Sequence, residues 1–90
     1  MNQVIVTGQI GSKKLKDARL EQAFVEAIED ADLFFGGKYR CVGDTIYLQS
    51  GFMLYSAEKE YPSGRALVEA TKTALSKRGL KPAIKAVDTM

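Results

Sequence analysis

Apolar residues recur at Leu20, Ala23, Phe24, Ala27, Ile28 and Ala31. This is the i, i+3, i+4, i+7 spacing that turns one face of a helix toward a core. Asp17 is the expected N-cap, its carboxylate accepting from amides of the first turn. Leu15 falls off the stripe, which places the helix start near Asp17 rather than Ser12. The stripe extends to Phe34 or Phe35, and Gly36-Gly37 is the expected stop, because glycine readily takes the left-handed conformation of a C-terminal cap. A second stripe, Leu67, Ala70, Thr71, Ala74 and Leu75, predicts a helix over 63–78. Lys77 and Arg78 complement the dipole of its last turn. Gly79 and Leu80 suit a Schellman ending with Leu80 folded back on the helix, and Pro82 marks the break.

Period-two patterns predict the strands. Val4 to Thr7 is a β-branched run that Ile10 extends, and Ala83 to Val87 reads as a last strand, with Lys85 suited to a sheet edge. Between the helices, Lys38 to Ala57 divides into three short strands at Gly43-Asp44 and Ser50-Gly51. A two-residue type II′ loop at Gly43-Asp44 pairs Val42 with Thr45, Cys41 with Ile46, Arg40 with Tyr47 and Tyr39 with Leu48. Tyr39, Cys41, Ile46 and Leu48 then face the core, while Lys38, Arg40, Thr45 and Tyr47 face away. Ser50-Gly51 admits two registers. A two-residue loop points Met53 and Tyr55 inward, whereas a G1 bulge at Gly51 points Phe52 and Leu54 inward. The bulge is preferred, because Phe52 and Leu54 are the more apolar pair.

The order is strand, helix, three-strand meander, helix, strand, in a single domain over 1–90. It predicts an α+β two-layer sandwich, with two helices on one face of a mostly antiparallel sheet of four to five strands. This order resembles the ferredoxin-like βαββαβ plan with an extra strand. The middle segment resembles the plan of double-stranded-RNA-binding domains, but the second helix opens Ser63-Gly64-Arg65-Ala66 and lacks that family's lysine cluster, so its function is not transferred. The opening MNQVIVTGQIG is similar to the first strand of bacterial single-stranded-DNA-binding proteins over about a tenth of the chain. The helix that follows and the absence of tryptophan depart from that family.

Composition narrows the chemistry. There is no histidine, which excludes Ser-His and Cys-His nucleophiles and histidine metal sites. The single cysteine, Cys41, forms no intrachain disulfide and no structural zinc site, and it reads as a small buried hydrophobe. Glu58 and Glu60 lack the Asp/Asn density of a calcium loop and read as a solvated rim. No cofactor or metal is expected. The opening residues lack a basic region followed by an apolar run, and no segment approaches a membrane span, so the expected location is the cytoplasm, without membrane association. A chain of this length buries roughly 60–65% of its unfolded surface, which implies modest stability unless it oligomerises. The net charge of +2 is small. Its layout is dipolar, with acids gathered over 21–32 and bases over the last thirty residues, a pattern that fits two solvated helix faces.

Two places remain as candidate sites. Gly11, Ser12, Lys13 and Lys14 follow a strand and precede a helix, the context of an anion-binding loop, but the spacing matches neither glycine fingerprint. The Gly8-x-x-Gly11 pair also occurs in KH domains, where a helix precedes it. A flexible turn with solvated lysines is the plainer reading. The outward face of the strands is the stronger candidate, with Lys38, Arg40, Tyr47 and, in the bulged register, Tyr55 as a basic and aromatic platform. Rings there also suit cover for a second layer of the same fold, a dimer contact or solvated strand positions. The expected function is a small non-catalytic interaction module, an adaptor, inhibitor or accessory subunit, binding a protein partner or itself through the open sheet face. The alternative is a nucleic-acid-binding module.

Overall fold

The structure is a computed structural model that describes residues 2–87. The elements run β1 (Gln3–Ser12), α1 (Asp17–Asp30), β2 (Leu33–Gly36), β3 (Tyr39–Val42), β4 (Thr45–Leu48), β5 (Met53–Ser56), α2 (Gly64–Lys77) and β6 (Leu80–Ala86). They form an α+β sandwich in which two helices pack against a mostly antiparallel sheet of six strands, rather than the expected four to five.

β1 is longer than the Val4–Thr7 run and continues through Gly8 and Gly11. Val6, Ile10 and Ser12 turn into the core, while Ile5, Thr7 and Gln9 turn out. Strand alternation accounts for this. Gly8 adopts φ 131°, and a Cβ there would stand 2.1 Å from the Ala83 carbonyl oxygen. Only a glycine lets β6 approach β1 this closely.

α1 buries Leu20, Phe24, Ala27 and Ile28, as the stripe predicts. Its ends differ from expectation. Asp17 does not cap: it is the first helical residue, at φ 51°, and its amide donates to the Gly43 carbonyl at 2.8 Å. Lys16 holds the cap position without a side-chain bond. The helix stops at Ala31 and Asp32, not at Gly36-Gly37. Asp32 takes the left-handed conformation that a short polar side chain tolerates. The chain then extends as β2, with Leu33 buried, Phe34 out and Phe35 half-buried. α2 begins where Ser63 accepts from the Ala66 amide at 3.2 Å and buries Leu67, Val68, Thr71 and Leu75. Gly79 ends it in the left-handed region. Leu80 opens β6, buried opposite Ser12. Pro82 lies within β6, which tolerates it because β6 pairs with β1 alone.

The β3–β4 hairpin has the register read from Gly43-Asp44, pair for pair, with Gly43 at φ 60°. The expected meander is overturned one turn later. β5 pairs with β1 and β2, not with β4. At Ser50-Gly51 the chain does not reverse. Phe52 N donates to Gln49 O at 3.1 Å around Gly51 at φ 87°, a type II turn inserted into a continuing line. Tyr47 and Tyr55 are eight residues apart, yet they face Gln9 and Gln3, which are six apart, so two residues bulge out. Phe52 and Leu54 point inward as preferred, through this bulge rather than through a hairpin.

Phe24 lies 5.3 Å from Tyr39, 5.6 Å from Phe35 and 6.3 Å from Phe52 between ring centroids, at the centre of an aromatic cluster under α1. The Tyr39 hydroxyl donates to Glu21 at 2.9 Å. Burial, reinforced by that carboxylate, pushes the phenol up to about 12. Arg78 ties the two helices by pairing with Glu26 at 2.8 Å and with Asp30.

Gly8→Ala is expected to lose at least about 2 kcal/mol by urea denaturation, since strained φ and a backbone clash combine. Gly36→Ala, where a Cβ meets open space, should stay near wild type. For Tyr39, the folded state holds the proton more tightly than the unfolded chain, whose phenol titrates near 10. Its contribution is therefore whole below pH 10 and lost as pH rises from 10 to 12. A denaturation series over that range should fall more steeply for wild type than for Tyr39→Phe.

Candidate binding surface

Residues paired across antiparallel strands point to the same side of the sheet. On the side away from the helices, Arg40, Tyr47, Gln9 and Ala83 form one row, and Val42, Thr45, Gly11 and Lys81 form the next. Toward the other end of β1, Thr7 faces Lys85, Ile5 faces Met53, and Gln3 faces Tyr55, which in turn faces Phe34. Ile5, Phe34, Val42, Tyr47, Tyr55 and Val87 are the exposed large hydrophobic residues among those described. By strand alternation all of them lie on this open face.

The structure brings Arg40 and Tyr47 together and separates them from Tyr55. Their partners on β1, Gln9 and Gln3, are six positions apart, roughly 20 Å along the sheet. Lys38 is exposed beside Arg40, its carbonyl accepting from Gln49 N at 3.0 Å. Tyr55 stacks instead on Phe34, with ring centroids 5.4 Å apart and planes 21° from parallel. Phe34 was missed because the helical stripe absorbed it. The in-out-in alternation of Leu33-Phe34-Phe35 after Asp32 was the signal that could have found it.

The strands and α1 differ in charge, while α2 carries Arg65, Lys72 and Lys77 against Glu69. No strand contains an aspartate or glutamate, whereas Arg40, Lys81 and Lys85 project from the open face. The Lys81 ammonium lies close enough to that of Lys13 for the repulsion to lower its pKa. α1 holds Asp17, Glu21, Glu26, Glu29 and Asp30 against Arg19 alone. Acids approach the rim of the face at both ends. Asp44, at the hairpin tip, accepts from the Thr45 hydroxyl at 2.9 Å, and Glu58 shares a small hollow with Asp32 beside Phe34. The Tyr47 end is thus cationic, and the Phe34–Tyr55 end is apolar with acids at its border.

In the Gly11–Lys14 segment, Gly11 is paired within the sheet between Thr45 and Lys81. The Ser12 amide donates to Asp44 O at 2.9 Å, and its hydroxyl accepts from the Leu15 amide at 2.9 Å. Lys13 and Lys14 are exposed. Cys41 is half-buried, and its thiol donates to Asp17 O at 3.5 Å. Burial, with Asp17 and Glu21 nearby, pushes that thiol up. A groove of about 910 Å³ lies where the start of β1 and the end of β6 meet α2, and Lys72 within it pairs with Glu69 at 3.5 Å. Among the described residues, no group of three His, Cys, Asp or Glu is placed to hold a metal, and no helix is long and apolar enough to cross a membrane.

The class defined by fold and surface is a small α+β sandwich with an open, carboxylate-free sheet face. Compared with known proteins, the chain matches no family model, no curated protein and no solved structure.

With its thiolate disfavoured, Cys41 is expected to react with an aromatic disulfide reagent at pH 8 several-fold more slowly than an unstructured cysteine. Denaturant should restore the ordinary rate, and a native rate equal to that of free cysteine would contradict this environment.

Proposed function

We propose that the chain is a small non-catalytic interaction module, an adaptor, inhibitor or accessory subunit, that binds a protein partner or a second copy of itself through the open sheet face. One observation carries the reading: Ile5, Phe34, Met53, Tyr55 and Val87 gather at one end of that face, where the stacked Phe34–Tyr55 pair stays half-exposed. Burying each such side chain is worth roughly 1.5–3 kcal/mol, so a few of them supply the core of an interface. The absence of histidine and the raised Cys41 thiol leave little nucleophilic chemistry, which supports a binding role over a catalytic one. A lone unpaired cysteine fits a reducing compartment, and we place the protein in the cytoplasm on that ground.

Light scattering after size exclusion at high micromolar concentration tests self-association. A dimer should dissociate on Phe34→Glu. If the wild type is monomeric, wild-type and Phe34→Glu baits compared in a pull-down should differ by a partner that only the wild type retains. Phe34→Glu matching wild type in both assays would overturn the reading. Phe34 is about half exposed, so the substitution leaves the core intact.

A further inference from the structure

We infer that the opposite, cationic end of the sheet, centred on Tyr47 and Arg40, is a binding site for single-stranded nucleic acid. The site goes beyond the apolar end and does not depend on it. Tyr47 is 45% exposed in the second strand of the hairpin, with Arg40 directly across from it on one side and Gln9 on the other. Beyond Gln9, β6 presents Ala83, with Lys81 and Lys85 two residues to either side of it on the same face, opposite Gly11 and Thr7. From β3 to β6 there are three inter-strand steps, about 14 Å, so the cations flank the ring on both sides.

This arrangement fits the parts of a single strand. An unpaired base offers a π-face to Tyr47, Arg40 and the two lysines meet phosphates, and the Gln9 amide can bond a base edge. A duplex hides its base faces within the stack, and an acidic peptide has charge but no bases, so neither makes use of the tyrosine ring. A second copy placed face to face would set cation against cation, with no strand carboxylate to offset them. Asp44 lies at the tip, bonded to Thr45, and leaves the row through Tyr47 without an acid.

The test is fluorescence anisotropy with labelled mixed-sequence DNA and RNA single strands of about 12 nucleotides, within the range that such surfaces cover. A duplex of equal length and a poly-glutamate peptide serve as competitors. Either single strand should bind at low salt, with log K falling on log salt with a slope of about −2 for three phosphate contacts. Tyr47→Ala should weaken binding by roughly 5- to 100-fold, the loss of one stacked base, and Tyr47→Phe should retain it. Arg40→Gln should flatten the salt slope by about 0.7. Circular dichroism checks that each variant is folded. Phe34→Glu should stay within about twofold of wild type, which separates this site from the apolar one. Absence of binding at low salt would overturn the inference and leave the apolar end untouched. Equal competition by duplex or poly-glutamate, or full binding by a folded Tyr47→Ala, would overturn it as well.

Discussion

The two-sided pairing of β1 holds the sheet together. On one edge β6 runs alongside it from Val6 to Ser12 without interruption. On the other edge β5 takes the beginning and β4 the end. Strands of four residues are too short to persist by themselves, and β4 and β5 gain permanence by sharing one ten-residue template. Val6 and Ile10 anchor that template in the core, and Gly8 lets β6 close upon it. The turn at Ser50-Gly51 absorbs two extra residues and allows the shared line to bend.

That topology also divides the surface. Because β2 lies beside β5, and β3 beside β4, the outward residues of one end never meet those of the other. Phe34 and Tyr55 gather at one end with Ile5 and Met53, and Tyr47 and Arg40 at the other with Gln9. α1 carries five of the eleven carboxylates on the helix side of the sheet, and uses Glu21 to hold Tyr39 and Glu26 to hold Arg78.

Of the candidate surface, the sequence made legible the outward residues of the hairpin, Arg40 and Tyr47, because a two-residue turn sets the register for every pair behind it. The grouping of Tyr55 with those residues was not legible correctly, since its neighbours come from β1 and β2, distant in the chain. Phe34 was hidden for a related reason. A helical stripe counted forward from Leu20 continues to predict helix until something breaks it, and an aspartate in the left-handed region is a weak signal beside two glycines.

The sequence by itself determined what neighbouring residues decide: the amphipathic faces of both helices, the Ser63 start of the second, the Gly43-Asp44 hairpin and the inward choice of Phe52 and Leu54. Each depends on torsional preference or on apolar period within a few residues. Only the tertiary structure decided whether the chain reverses at Ser50-Gly51 or runs on. A type II turn and a hairpin turn use the same glycine, and the outcome depends on which edge offers free hydrogen-bonding groups. β1 offers that edge, about fifty residues upstream.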